Sequence, residues 1–404
     1  MKPYSAFATA HPGLEPVLAE ELAGLGFRSP VVEPGGVGFE TDLAGIARAN
    51  LGLRTAGRVI VRVATFHASA FHELERHARK IDWPRFLGPG AAAHFRVTTR
   101  KSKLYHERAI VERLGSAVSA GVSGASVIAR RDEAEDEDES VVDLPVVQRF
   151  IVRFQHDECV ISADTSGPLL HRRGYRQAVA RAPLRETLAA GFLLSAGYDG
   201  REPLIDPMCG SGTIPIEAAL LARRQAPGLL RRFAFERWPG TESAVTAGVR
   251  DELRHRERSP GFPIRGSDRD AGAVAAAEQN GARAGVEVEW RQAPVSAMDL
   301  EGDPGLVATN PPWGHRVGER AALRNLYAQL GNVLRRRGVG WRLAIVGSDR
   351  MLEGQIGVGF EERCATESGG LRIRFLAGRV AALPERLARP GGHRRGGRSR
   401  RPSR

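Results

Sequence analysis

The chain is poor in cysteine. Only Cys159, Cys209 and Cys364 occur, far apart and with no CxxC pair. A disulfide scaffold and a cysteine-based zinc site are thereby excluded, and a reducing cytoplasm is the expected location. No apolar run approaches the roughly 18 to 20 residues needed to span a bilayer, which excludes an integral helical membrane protein. Met1 to Pro16 lack a basic start followed by an apolar block, so no secretory signal is expected. Histidines such as His67, His72 and His77 are too scattered for a metal site. Lysine is scarce as well: Lys2, Lys80, Lys101 and Lys103 are the only ones among 59 basic residues. Arginine is the better bidentate phosphate ligand. A GC-rich genome produces the same bias, so the ratio alone decides nothing.

What is present is ordinary apolar content and a strong charge. A length of 404 residues, at roughly 150 per domain, predicts two or three domains. The 42% hydrophobic and 26% charged shares are those of a globular chain. The net charge of +12 points to nucleic acid or another anionic partner. Two blocks are biased. Pro384 to Arg404 holds eight arginines against Glu385 and almost nothing apolar, so it is expected to be disordered. Asp132 to Ser140 holds seven acids and reads as a solvated loop. The two cancel, at +7 and −7, and leave the excess on the remaining, folded part.

The first part reads as mixed α+β. Strands are expected at 4–9, 37–40, 58–65 and 94–100, with a hairpin of 146–154 and 158–163 across His156-Asp157. Helices are expected at 13–25, 42–51, 70–80 and 105–119. From about Pro183 strands and helices alternate. Strands 204–206, 264–267, 286–290, 306–309 and 342–347 are interleaved with helices 213–224, 270–284 and 320–336. The runs 360–366 and 371–380 lie too close for a crossover helix and should pair antiparallel. This describes an open, doubly wound α/β sheet with a terminal antiparallel hairpin, whose ligands bind outside the carboxyl ends of the strands.

Three turns fall at those ends. The first is Asp206-Pro207-Met208-Cys209-Gly210-Ser211-Gly212-Thr213. Its glycines allow a tight turn and close approach of a ligand, and the helix behind offers free N–H groups. It is not GxGxxG, which disfavours a dinucleotide. The second is Gly266-Ser267-Asp268-Arg269-Asp270, where Asp268 is placed to accept ribose hydroxyls and Asp270 to cap the next helix. The third is Thr309-Asn310-Pro311-Pro312-Trp313-Gly314. An amino group on a planar ring is a poor nucleophile, because its lone pair is delocalised. The Asn310 side-chain oxygen and the Pro311 carbonyl can hold both its hydrogens and turn the nitrogen toward an electrophile. The prolines stiffen the loop, and Trp313 offers a face for an extruded base. Such a loop works by positioning and electrostatics, without a strong general base.

With these residues in view, the chain resembles a class I S-adenosylmethionine-dependent methyltransferase with an N-terminal THUMP domain. Within that group it is most similar to the guanine-N2 methyltransferases of large-subunit ribosomal RNA. The resemblance runs from Tyr4 to Val380. It rests on Phe7-Ala8-Thr9-Ala10 with Gly13-Leu14-Glu15, on Leu170 to Arg176, on Ala182 to Ala190, on Asp206 to Thr213 and on Asn310 to Gly314. It implies a Rossmann-like methyltransferase sheet behind an α+β, THUMP-containing domain. The expected parts are 1–52 (ferredoxin-like), 53–165 (THUMP-like), 166–184 (connection), 185–383 (methyltransferase) and 384–404 (tail). It also implies that Asp206, Gly210 and Gly212, within the Asp206 to Thr213 loop, hold the methionine part of the cofactor, and Asp268 its ribose. Asn310, Pro311, Pro312 and Trp313 then hold the target base.

There are departures. Trp313 stands where tyrosine is usual, and Pro294 where relatives often have an acid near the adenine, with Asp299 a weak substitute. Some relatives carry a second, fused methyltransferase, and that activity is expected to be absent here. For RNA contact there are two candidates. Arg100, Lys101 and Lys103, with Arg96 and Tyr105 nearby, form either a phosphate-binding patch or a solvated face. His171, Arg172, Arg173, Tyr175 and Arg176 lie in the connection and are expected to face RNA beside the active site. The partner implied is ribosomal RNA, with tRNA as the alternative. A ribosome-assembly factor with an inactive methyltransferase half is the alternative of another class. No membrane and no metal are expected, and the protein should be a monomer.

Overall fold

A computed structural model describes residues 3–128, 147–177, 184–313 and 320–381. The acidic run, the arginine tail and Gly314 lie outside the described residues. No described helix is long and apolar enough to cross a membrane.

The first half is built on one eight-stranded sheet. Its strands are β1 (Tyr4–Thr9), β2 (Val31–Glu33), β3 (Gly36–Thr41), β4 (Arg58–His67), β5 (Ala92–Arg100), β6 (Ser126–Val127), β7 (Val147–Gln155) and β8 (Glu158–Asp164), in the order β2-β3-β1-β4-β8-β7-β5-β6. Among the described residues four helices accompany it: α1 (Glu15–Gly24), α2 (Leu43–Gly52), α3 (Phe71–Ala78) and α4 (Glu107–Gly121). The sheet crosses residue 52 without a break, because β1 pairs antiparallel with β3 on one side and β4 on the other. The alternation in Arg58 to Thr65 predicts one buried face, through Val59, Val61 and Val63. Ile60 is buried as well, because the start of β4 is covered on both faces. The hairpin between β7 and β8 turns on His156 and Asp157, both at positive φ (51° and 65°). That is the backbone a two-residue hairpin turn requires.

The second half holds a seven-stranded sheet ordered β11-β10-β9-β12-β13-β15-β14. Its strands are β9 (Leu204–Asp206), β10 (Ile264–Asp268), β11 (Glu289–Gln292), β12 (Leu306–Thr309), β13 (Arg342–Gly347), β14 (Glu361–Ser368) and β15 (Leu371–Arg379). The first five are parallel, and β15 joins β13 antiparallel. Helices α5 (Glu186–Ser195), α6 (Thr213–Ala222), α7 (Ser243–His255), α8 (Ala271–Ala284), α9 (Arg320–Arg337) and α10 (Arg350–Ile356) complete it. The strand order reverses beside β9, with β10 on one side and β12 on the other, and this is where such sheets bind ligands. Strand β11 begins three residues later than its apolar residues suggest. Val286 is buried as part of the helix stop: Gly285 ends α8 at φ 67°, and the Val286 N–H donates to the Gly281 carbonyl.

The halves exchange segments. Leu14, at the start of α1, packs in the core of the second half with Leu188, Phe192 and Phe375. In return Phe233, Phe235, Trp238, Val249 and Leu253 enter the first core, although they lie between β9 and β10 in the chain. Trp238 meets Phe86 edge to face at 5.0 Å, and its indole N–H donates to Gln148 Oε1 at 2.7 Å. The sequence pattern assigns no element to 225–255, yet α7 and this returning cluster both fall within it. Trp238→Ala should cost about 3–5 kcal/mol. Calorimetric unfolding checks this, and an unchanged transition would mean that the returning segment is not part of the first core.

Candidate active site

The carboxyl ends of β9, β10 and β12 bring the three turns together. In the first, Asp206 is buried and its Oδ1 accepts the Met208 N–H at 3.1 Å. Gly210 and Gly212 both take positive φ (53° and 86°), a backbone that favours glycine. They serve different ends. A Cβ on Gly212 would lie 2.7 Å from Trp290 and 2.9 Å from Ala277, so this glycine lets the loop seat against β11 and α8. A Cβ on Gly210 would meet nothing within 4 Å, so this residue faces open space. Pro207, Ser211 and Thr213 are buried, and Met208 is half-buried. Burial, with the charges of Asp206 and Asp268, pushes the Cys209 thiol far up, so it stays neutral and is no nucleophile.

The second turn is tied to the first. Asp268 Oδ2 accepts the Gly210 N–H at 3.1 Å, and its Oδ1 accepts the Asp270 N–H at 3.0 Å. Asp270 caps α8 through Gly272 N–H at 2.8 Å. Asp268 is thus held against the open glycine and does not serve as the cap. Burial, with the nearby Asp268 charge adding, pushes the Asp206 carboxyl up to about 7.

In the third turn, Asn310 Oδ1 is buried and has no hydrogen-bond partner among the described residues. Pro311 is buried and Pro312 exposed. The Trp313 indole is half-buried, and its N–H donates to the Val346 carbonyl at 3.3 Å. The Tyr327 hydroxyl, from α9, reaches the Pro312 carbonyl at 3.5 Å. Thr309 and Asn280 belong to the site although the sequence motifs do not single them out. Thr309 Oγ1 donates to Asp206 Oδ1 at 2.7 Å, and Asn280 Nδ2 donates to the Ser211 carbonyl at 3.0 Å. A polar residue at the end of a buried strand was the available signal for Thr309.

Other expected site residues lie elsewhere. Asp299 stands 3.9 Å from Arg265, whose backbone is three residues before the end of β10, and makes no described hydrogen bond to the turns. Among the described residues of the connection, Arg173 and Tyr175 are turned inward. Arg173 is buried; its Nε donates to Glu217 Oε1 at 3.3 Å, and its other nitrogens donate to the Leu170 and Arg54 carbonyls. The buried Tyr175 hydroxyl donates to the same Glu217 oxygen at 3.1 Å. Arg176 pairs with Glu186 at 2.7 Å, and burial pushes that carboxyl up to about 7. His171 is half-buried and pushed down to about 3 by burial and the neighbouring arginines, so it is neutral at physiological pH. Arg172 is half-buried and already engaged. The expectation that this run faces RNA is therefore corrected for Arg173 and Tyr175. Arg173 pairs with Glu217, a carboxylate on a largely apolar helix, and Tyr175 hydrogen-bonds the same oxygen. Arg100, Lys101, Lys103 and Tyr105, by contrast, are exposed together at the end of β5. Their loop is stitched to the hairpin turn by Lys103 N–H donating to Asp157 Oδ1 at 2.7 Å and His156 N–H donating to the Arg100 carbonyl at 3.2 Å. Among the described residues no cluster of His, Cys, Asp or Glu is suited to a metal ion.

Comparison with known proteins identifies the family. Residues 173–369 match the family described as RMKL-like methyltransferase domain, and residues 5–60 match the RlmL ferredoxin-like domain. A Synechocystis protein that carries the name RNA methyltransferase is 34% identical over 93% of this chain and 96% of its own length. The ribosomal RNA large subunit methyltransferase K/L of Syntrophotalea carbinolica is 35% identical over 93% of this chain. The match covers 53% of that relative, so the chain spans about half its length. The crystal structure of SMU.472 complexed with SAH superposes with a TM-score of 0.81 at 29% identity. That superposition covers 95% of this chain and 100% of the other.

The burial of Arg173 has a direct consequence. Arg173→Ala removes the ion-pair partner of buried Glu217, leaving it the Tyr175 hydroxyl and the nearby Arg54 charge, and should cost about 3 kcal/mol. Chemical denaturation reads this, and wild-type stability in the variant would contradict the buried pair.

Proposed function

The chain belongs to the RMKL-like family of S-adenosylmethionine-dependent methyltransferases, and from that membership we propose that it methylates the exocyclic N2 of a guanine in large-subunit ribosomal RNA. The observation that carries the reading is the buried acceptor of Asn310, without a partner among the described residues and one residue from the threonine bonded to Asp206. Asp206, Asp268 and the open glycine suit the cofactor's groups. Asp206 offers a carboxylate to the ammonium of a methionine moiety, Asp268 offers oxygens to ribose hydroxyls, and Gly210 leaves room for close approach. When bound, the cofactor supplies an electrophilic methyl group on a sulfonium centre.

The chain's own contribution is orientation. Asn310 Oδ1 and the Pro311 carbonyl accept the two hydrogens of the amino group, which directs its lone pair out of the ring plane. Asn310 is an amide and takes no proton, so it acts as a fixed dipole. The Trp313 indole, anchored through Val346, offers an apolar face to the base. In this reading 1–52 and 53–165 capture RNA as ferredoxin-like and THUMP-like parts. Residues 166–184 connect them to 185–383, which transfers the methyl group. The exposed Arg100, Lys101 and Lys103 hold phosphates, with Tyr105 beside them. The same reading makes the protein a cytoplasmic monomer that works without a metal.

Asn310→Ala should lower methyl incorporation from labelled cofactor by about 100-fold or more while cofactor affinity stays within about two-fold. Retained activity would remove the assigned chemistry. Nucleoside mass spectrometry of rRNA and tRNA from a deletion strain identifies the target, and loss of N2-methylguanine from tRNA alone would reassign the substrate. The paired change Lys101→Ala with Lys103→Ala should leave the melting temperature unchanged. It should flatten the logarithmic salt slope of RNA affinity by about one for each phosphate that is no longer neutralised.

The raised Asp206 titration has a sign that is opposite for binding and for folding. The fold favours the protonated form, so the stability this group contributes is complete below the ordinary carboxylate range and is lost as pH rises through about 7. A cationic ligand favours the ionised form. Cofactor affinity should rise as pH passes through about 7 and then level off, with proton release visible by calorimetry on the acid side. A flat profile would show that Asp206 does not meet a cation.

A further inference from the structure

Strand β12 carries a polar side chain at its last position, immediately before the target-base loop. Thr309 is fully buried, and the core around β12 gives a free hydroxyl no solvent to bond to. It is directed at Asp206 Oδ1, 2.7 Å away on the adjacent strand β9. The same oxygen accepts the Met208 N–H at 3.1 Å. Asp206 is buried, and among the described residues no basic group faces its carboxyl. Among the described residues, the titratable groups that face it are Asp268, from the end of β10, and Cys209, from its own loop. Asp268 repels its charge, and the Cys209 thiol is neutral. Among the described residues the Thr309 hydroxyl is therefore the side-chain donor that favours the charged carboxylate, beside the Met208 N–H.

We propose that Thr309 is a positioning residue that holds the Asp206 carboxylate charged toward the cofactor and, through the next peptide, sets Asn310 in register with it. The inference rests on the proposed function for the identity of the ligand. Its geometric part, the bond between β12 and β9, stands without it. A hydrogen bond to a charged group is worth more than a neutral one, and in a buried site its loss is not made good by water. Of the three turns, the first and second are joined through Asp268 and Gly210, and the first and third through Thr309 and Asp206. A valine at 309 keeps nearly the same shape and removes only the donor.

The test uses the full chain labelled with ¹³C at aspartate, with the Asp206 carboxyl assigned by its loss in Asp206→Asn. In Thr309→Val the titration midpoint of Asp206 should move above that of the wild type, and Thr309→Ser should return it. Calorimetry with S-adenosylhomocysteine should show binding at pH 7 weakened about ten-fold or more in Thr309→Val, restored in Thr309→Ser, with the deficit narrowing as pH rises. An unmoved midpoint in a folded Thr309→Val overturns the inference even if the cofactor binds normally. A moved midpoint in a protein that binds no cofactor supports the role of Thr309 and defeats the proposed function instead. If Thr309→Val does not fold, Thr309→Ala carries the same titration, with the same two outcomes.

Discussion

The buried carboxylate of Glu217 is the constraint around which the molecule is assembled. It sits on α6, the helix that follows the glycine turn, among Ile214, Ile216, Ala218 and Leu220. A charge in such a place is costly unless it is paired and hydrogen-bonded. Its partners come from outside the helix: Arg173 and Tyr175 from the connection, with Arg173 also held by the Arg54 carbonyl of the first half. Arg54 in turn donates to the carbonyls of Leu220 and Gln225 at the end of the same helix. One helix is thus gripped by both halves of the chain, and its N-terminal turn is where the ligand site begins.

From that fixed helix the site follows by short bonds. Gly212 seats the turn against Trp290, and Asn280 holds its backbone from α8. Asp268 reaches the turn from β10, and Thr309 reaches it from β12. Each of these residues stands at the carboxyl end of a parallel strand or on a helix packed behind it. A doubly wound sheet converges its ligand groups there, because every crossover returns the chain to the same edge. The Asn310 oxygen, which has no partner among the described residues, is in this setting the acceptor that the proposed function assigns to the ligand. The three cysteines are buried and free, in keeping with a sequence that has no disulfide framework.

The parts legible in the sequence were those coded locally. Strands β12 and β13 begin and end where their apolar runs do, between turn-forming residues. The His156-Asp157 hairpin and the terminal pair β14 and β15 follow from spacing alone. Segment 225–255 was not legible, because its Phe235, Trp238 and Val249 fill a core built from distant strands and show no period of their own. The basic connection misled for a related reason. Arg173 and Tyr175 look like an RNA-facing run until Glu217, 44 residues further on for Arg173, is seen beneath them.

By itself the sequence located the three candidate loops. Asp206, Gly210, Asp268 and Asn310 mark the ends of three strands, and turn residues at strand ends are readable because backbone conformation is a local property. The tertiary structure alone decided which charges face water and which are consumed inside. It left Arg100, Lys101 and Lys103 exposed, drew Arg173 and Tyr175 onto Glu217, and set the Thr309 hydroxyl against Asp206. Burial and partnership depend on chain segments far apart in sequence, and only the folded sheet order brings β9 beside β12.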